Sequence, residues 1–405
     1  MTWLLILLQT MTAPVTPRLD LASLEAQTLT RHPAIRRAEA DVEAARQRAA
    51  QMGAWPNPVI GGSTEELRPR QSPSGFFGGF VQQTIPLGGK LAASRALGDR
   101  EVAVAQAALT AARQQVLTGV RERYYAVLIA EERLVVTAHL SELATESAGI
   151  AKQLLNIGMA DRPDVLTSEA EAAMASTELA AAHTSRQAAW QQLAAAAADA
   201  ALTPQPLASK ISDALPLFNR DMMLAQVLAD NGALQEAAGM AASARTAIDI
   251  EKRATRPDLF LRADAGRTRE YSGGRPIGPQ YGVEAGLSIP LFNRNRAGIA
   301  SATSRALGAD AMVDEVRLDL TARFADVFAQ YDSARALAST YRTDVLPRVQ
   351  QAYDLQLAKY RDMAVAYPTV LQAQRTLFEM TAQYLDAMDR AWTAASALRT
   401  ALAVR

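Results

Sequence analysis

The chain has 405 residues, enough for two or three ordinary domains, and its 42 Lys+Arg balance its 42 Asp+Glu to a formal net charge of +0. That balance gives no basic surplus for a nucleic-acid partner. The absence of cysteine excludes disulfides, thiolate metal sites, Cys nucleophiles and a lipidated N-terminal Cys. Only 6% of residues are aromatic, and long Ala-rich stretches with Glu, Gln and Arg favour extended helices.

Residues 1–19 form a signal-like or disordered segment: Met1-Thr2 precedes an apolar run from Trp3 to Leu8, but no Lys or Arg leads it and Pro14 spoils a cleavage site after Ala13. Elsewhere no stretch approaches the ~20 apolar residues of a membrane-spanning helix, so any crossing must use strands.

The chain then repeats itself. His32-Pro33-Ala34-Ile35 corresponds to Asn231-Gly232-Ala233-Leu234, Gln83-Thr84-Ile85-Pro86-Leu87 to Leu287-Ser288-Ile289-Pro290-Leu291, and Pro163-Asp164-Val165-Leu166 to Pro368-Thr369-Val370-Leu371. The separations widen from 199 to 205 residues while the order is kept. So long a period means a tandem duplication of a whole unit, not a solenoid. The first repeat occupies 20–200, an inter-repeat linker 201–220 opens at Thr203-Pro204-Gln205-Pro206, and the second repeat occupies 221–405.

Each repeat predicts the same elements. A helix runs Pro33 to Ala54, or Ala233 to Thr255. A strand pair follows at 58–87, or 257–291, with period-2 alternation. Leu259, Leu261, Ala263 and Ala265 alternate with Phe260, Arg262, Asp264 and Gly266; Val283, Ala285, Leu287 and Ile289 alternate with Glu284, Gly286 and Ser288. Polar loops rich in Pro and Gly, Glu65–Gly75 and Arg267–Gln280, sit at the hairpin positions. A long helix occupies 88–157, or 292–362, each about 105 Å at ~1.5 Å per residue. After a short break, Gly158–Arg162 or Met363–Tyr367, a return helix spans 163–200, or 368–403, with Pro in its first turn.

Four strands per chain cannot close a barrel, for which about eight is the practical minimum, and open edges aggregate. Closure therefore requires several chains. The polar face of the strands, Gln82, Thr84, Arg262, Asp264, Glu284 and Ser288, would meet water in a barrel lumen and the apolar face lipid. Alternation by itself fits a soluble sandwich edge equally well; the coupling to such long helices favours the barrel. The return helix carries Ala170, Ala173, Ala180, Ala181, Ala188 and Ala195, which let neighbours pack on two sides as staves of a wall, leaving Glu122, Arg123, Glu131 and Glu132 for the lumen or the outside.

These residues resemble the TolC-like outer-membrane efflux proteins from about Leu21 onward. The carriers are the duplication, Ile85-Pro86-Leu87-Gly88-Gly89-Lys90, the run Ile289-Pro290-Leu291-Phe292-Asn293-Arg294-Asn295-Arg296, and the two hairpin turns. The Pro-Leu-Phe-Asn-Arg-Asn run looks most like the cobalt–zinc–cadmium-type heavy-metal branch. The resemblance implies a mainly α fold with a small β part. In it a homotrimer forms a long α-helical barrel continuous with a transmembrane β-barrel, four strands per chain, in outer-membrane lipid. It also implies a periplasmic adaptor (membrane fusion) protein docked at the helical hairpin tips, Leu155–Asp164 and Tyr360–Thr369, and an inner-membrane pump of the resistance-nodulation-division type. At the tips Gly158 matches a turn glycine, Asp164 an acidic gate residue and Tyr360 a gate tyrosine. Met363 replaces the second turn glycine, Val365 a gate arginine and Gln372 a constricting aspartate. Asp164 with Tyr360, or with Arg361, is then the remaining lock, against the plainer role of Asp164 as a helix N-terminal carboxylate.

Other signals carry no chemistry. Gly88-Gly89-Lys90 lacks phosphate-loop spacing, with Thr84 where the first Gly belongs. His32, His139 and His183 form no ligand pair, Met222-Met223 fits packing in a short linker helix, and Glu65-Glu66 lies in a loop. No cofactor, metal site or catalytic arrangement is expected. The alternatives are the outlet of a type I protein secretion system, with the same fold, and a soluble coiled-coil scaffold.

Overall fold

The computed structural model describes residues 18–65, 75–211, 215–268, 271–272, 275–276 and 278–400. The apolar run of the signal-like segment and Pro14, much of both hairpin loops and Glu66 lie outside the described residues. The chain falls into two compact units, one of residues 1–35, 113–229 and 321–405, the other of 36–112 and 230–320.

The elements follow local rules. Helix α1 (Leu21–Arg31) starts where the Asp20 carboxylate accepts the Ser23 N–H at 3.2 Å, and stops at His32, held extended before Pro33. Helix α2 (Pro33–Met52) leads to strands β1 (Val59–Glu65) and β2 (Phe76–Pro86), then to helix α3 (Lys90–Asn156) and helix α4 (Arg162–Ala196). Helix α5 (Arg220–Asp230) precedes α6 (Gly232–Arg253), capped by Asn231 accepting the Leu234 N–H at 2.9 Å. Strands β3 (Asp258–Thr268), β4 (Tyr271–Ser272), β5 (Arg275–Pro276) and β6 (Pro279–Ser288) follow, then helices α7 (Arg296–Thr340), α8 (Leu346–Arg361) and α9 (Tyr367–Arg399). Helix α1 belongs to a stretch for which the sequence predicts no separate helix, whereas α5 is the short helix expected around Met222-Met223.

One expectation is corrected. The second long stretch, 292–362, is not one α-helix. Residues Leu291 to Asn295 form a loop, and a π-helical turn at Tyr341–Val345 separates α7 from α8. Pro347 is the cause: its ring collides with the carbonyl four residues back and it offers no N–H, so the ladder widens and Leu346 donates to the Tyr341 carbonyl.

In the unit of residues 1–35, 113–229 and 321–405, α3 is enclosed on most of its circumference. Val127, Leu128, Ile129 and Ala130 are consecutive and all buried, which a helix with one apolar stripe cannot achieve. Tyr125 stacks on Trp392 with ring centroids 4.3 Å apart and Arg121 grips Glu25 through two nitrogens at 2.5 and 3.1 Å. Leu19 pairs in parallel with Leu207 and accepts from the buried Tyr124 hydroxyl at 3.2 Å.

In the unit of residues 36–112 and 230–320, helices approach on small residues. A Cβ added to Gly232 of α6 would stand 2.5 Å from the Ala111 Cα of α3, and one on Gly98 of α3 2.6 Å from the Ala49 Cα of α2. No described helix is long and apolar enough to cross a membrane. The antiparallel sheet lies in this unit, in the order β1-β2-β3-β6.

Because the obstacle at Gly232 is backbone, Gly232→Ala is expected to destabilise the protein by about 1–3 kcal/mol. Gly119→Ala, where a Cβ meets nothing within 4 Å, is expected to stabilise it by up to about 1 kcal/mol. Thermal unfolding in detergent, followed by circular dichroism, compares the two.

Candidate functional site

Two places bring the predicted polar residues together, one in each unit. The first is the sheet. Gln82 stands opposite Arg262, and Arg262 opposite Glu284; Thr84 stands opposite Phe260, Asp264 opposite Phe80, and Ser288 opposite Asp258. Directly paired residues share a face. All six polar residues singled out in the sequence therefore lie on one side of the sheet. The other side carries Ile60, Val81, Leu261, Val283 and Leu287, all exposed.

The polar face contains aromatic rings that the alternation did not reveal. Phe80 covers Gly61 on the next strand, so that a Cβ there would fall 2.7 Å from the ring, and Phe76 covers Gly78 and Gly266 at 2.5 Å. Phe260 likewise lies over Gly286, its cross-strand partner. A glycine leaves a strand without a side chain to pack; a ring from the neighbouring strand fills the gap. The Arg262 guanidinium sits 4.0 Å over the Phe80 ring, a cation–π contact that holds it along the sheet between Gln82 and Glu284. At the foot of the sheet Lys90 Nζ meets the Asp258 carboxylate at 2.8 Å. Arg253 and Arg256 both donate to the Gly88 carbonyl at 2.9 and 3.1 Å, and Gly88 has φ +70°. Gly88-Gly89-Lys90 thus forms a strand-to-helix turn.

The second place is the pair of hairpin tips, α3–α4 and α8–α9, within the other unit. Both helices end in the same hydrogen-bond pattern. Gly158 N–H reaches the Leu155 carbonyl at 2.9 Å and Met159 N–H the Leu154 carbonyl at 2.8 Å; Met363 N–H reaches Tyr360 at 2.9 Å and Ala364 N–H reaches Lys359 at 2.8 Å. This double closure requires a left-handed residue after the helix, and Gly158 (φ +74°) and Met363 (φ +59°) supply it. Met363 does so against the Cβ penalty of that region.

Gly158, Asp161, Asp164, Tyr360, Met363, Val365 and Tyr367 surround a cavity of about 250 Å³. Beneath it Tyr353, Tyr360 and Tyr367 are buried with Leu154, Leu357, Val370 and Leu377, and the rings of Tyr360 and Tyr367 lie 5.5 Å apart. Burial raises all three phenols above the usual tyrosine range, Tyr353 to about 12, with Glu146 adding to it; the Asp164 charge acts in the same direction on Tyr360 and Tyr367. The polar Ser147 and Ser168 near Tyr367 act against the rise.

Of the two pairings open to Asp164, the chain itself places the carboxylate beside Tyr360 around this cavity. Arg361 turns instead to Glu146, with which it forms an ion pair. Arg361 is the next residue after Tyr360 and so points some 100° away around α8. Sequence reasoning missed Tyr353, Tyr367 and Glu146; the seven-residue spacing of the three tyrosines was the available signal.

A four-stranded sheet with one polar and one apolar face, joined to helices of this length, defines a channel-type outer-membrane efflux protein. The chain belongs to the outer membrane efflux protein family, matching it over residues 24–199 and 223–404, and its place is the bacterial outer membrane with extension into the periplasm. It is 29% identical over 350 residues to the cobalt-zinc-cadmium resistance protein CzcC of Cupriavidus metallidurans, covering 85% of this chain and 80% of that protein. It is 30% identical over 315 residues to the nickel and cobalt resistance protein CnrC of the same organism, covering 72% and 69%. Among solved structures, that of CusC superposes with a TM-score of 0.80 at 18% identity, covering 96% of this chain and 92% of that one. That of VceC from Vibrio cholerae superposes at 0.77 with 19% identity, covering 95% and 96%.

Two outcomes are expected at the tips. Met363→Gly, which removes the strained Cβ, should raise stability by about 1 kcal/mol, and Gly158→Ala should lower it by a similar amount; apparent melting temperatures decide both. The tyrosines set an alkaline limit. The unfolded chain ionises its phenols near pH 10, while folded Tyr353 holds its proton to about pH 12. Stability is therefore full below pH 10 and falls as pH rises from 10 to 12, by on the order of 2 kcal/mol for this residue. Tyr353→Phe should flatten that stretch of the pH–stability curve; an unchanged slope would count against the assignment.

Proposed function

We propose that the chain is one protomer of an outer-membrane homotrimer that gives exported solutes, heavy-metal cations foremost, a passive path from periplasm to outside. The observation that carries this reading is the sheet with two open edges. Among the described residues β1 and β6 each pair on one side only, while the apolar face is exposed. In lipid, unpaired backbone groups are too costly to leave, and four strands are too few to close. Three chains supply twelve strands, each β6 pairing with a β1 of the next chain. Gln82, Thr84, Arg262, Asp264, Glu284 and Ser288 then line the lumen.

In the same reading the tips carrying Gly158, Asp164, Tyr360, Arg361 and Met363 form the periplasmic aperture and the docking surface for a periplasmic adaptor protein, which couples the duct to an inner-membrane pump of the resistance-nodulation-division type. The similarity to CzcC supports metal cations as cargo. Among the described residues no group of three or more His, Asp or Glu is placed to hold a metal ion.

The test is fractionation with metal challenge. A trimer that survives SDS without boiling should appear in the outer-membrane fraction, and deletion of the gene should sensitise cells to cobalt, zinc or cadmium more than to hydrophobic dyes. Full recovery of the protein as a soluble monomer would end the proposal, and sensitivity to dyes alone would end its metal part.

A further inference from the structure

The run Ile289–Arg296 has a second property. It lies between β6 and α7 and is not loose. Leu291 N–H bonds to the Ile289 carbonyl at 2.9 Å and Asn295 N–H to Asn293 Oδ1 at 3.0 Å. Asn295 takes φ +49°, and its side-chain amide donates to the Glu251 carbonyl at 3.0 Å and carboxylate at 2.6 Å, tying the loop to α6. The Asn295 carbonyl then accepts from Ile299 N–H at 3.0 Å, starting α7. A loop fixed in this way holds Phe292 99% exposed and Leu291 65% exposed. Ile289, also 60% exposed, adds to Leu291 and Phe292 within four residues, and an apolar surface clustered on a tied loop suits a contact with another chain.

The other edge of the sheet ends in a matching way. Between α2 and β1 the chain runs Trp55-Pro56-Asn57-Pro58, two prolines fixing its course, and Trp55 is 62% exposed. Gln83 Nε2 donates to the Pro56 carbonyl at 2.9 Å, which holds this segment beside β2. β1 starts high: Val59 pairs with Gln82, while the lowest row of the sheet is Pro86, Asp258 and Ser288. The residues before Val59 therefore descend toward that lowest row, and Trp55 arrives near its level.

Strand direction brings these two ends together. β1, β2, β3 and β6 alternate in direction, so β1 and β6 run oppositely. When β6 of one copy pairs with β1 of the next, the end of β6 and the start of β1 meet at the same end of the sheet. We infer that Phe292 of one protomer packs against Trp55 of the next, an aromatic clasp at the helix-side foot of each intersubunit seam. The inference rests on the trimeric closure proposed above and adds the contact that secures it. It also gives a task to the Pro-Leu-Phe-Asn-Arg-Asn run: Pro290 ends the strand, Phe292 is the clasp, and Asn293 and Asn295 hold the loop that presents it. Aromatic pairs at ring separations of about 4.5–7 Å contribute beyond the area they bury, and they do so here where strand pairing stops and the seam would otherwise open.

The chain has no cysteine, so the full-length double variant Trp55→Cys/Phe292→Cys carries no other thiol. Oxidised in membranes with copper phenanthroline, it should yield disulfide-linked dimer and trimer on non-reducing gels, reversed by dithiothreitol, while each single variant stays monomeric. Glutaraldehyde crosslinking of the same sample reads assembly independently. A trimer by glutaraldehyde without any disulfide overturns the clasp and leaves the duct intact, the result expected if Phe292 and Trp55 instead face lipid headgroups. No trimer at all for the unmodified protein overturns both. If the double variant does not reach the membrane, Phe292→Ala should lower the temperature at which the trimer dissociates in SDS and Phe292→Tyr should restore it; equal dissociation temperatures for Phe292→Ala and the unmodified protein overturn the clasp.

Discussion

A strand in hydrocarbon has no water to take up its edge N–H and C=O groups, so each edge must meet another strand. On the function proposed above, the four-stranded sheet of this chain answers that constraint by closing with other copies. Its two hairpins come from sequence segments about 200 residues apart and join at β2 and β3, which leaves β1 and β6 as the only open edges of the described sheet. The faces follow from the same requirement. An apolar face suits lipid, and a polar one suits a water-filled interior.

The polar face shows how a glycine-rich sheet is kept packed. Glycines at 61, 78, 266 and 286 leave space on this face, and rings of Phe76, Phe80 and Phe260 lie over it. Arg262 rests on one of these rings, flanked by Gln82 and Glu284, so that its charge is satisfied along the face.

The hairpin tips solve a different problem: reversing two long helices in a few residues. Both use one hydrogen-bond pattern, with glycine in one and methionine in the other at the left-handed position. The strain at Met363 is borne by a core beneath it, in which three tyrosines are buried together. Asp164 sits at the rim of that core, beside Tyr360, while Arg361 is engaged by Glu146.

The sequence by itself determined the order of elements, the reversal points of the hairpins and the two faces of the strands. These are local properties: a period of two places alternate side chains on opposite faces, and a proline or a left-handed residue acts on its own turn. The alternation of Arg262 and Asp264 with Leu261 and Ala263 was enough to sort the faces. Only the tertiary structure decided how Pro347 was absorbed, as a π-turn and not a break, with the helix ladder widened by one residue. Only the tertiary structure set Arg361 against Glu146, 215 residues away, and gathered Tyr353, Tyr360 and Tyr367. It also laid each phenylalanine over its glycine. Such pairings depend on which helices and strands come to lie side by side, and no local period specifies that.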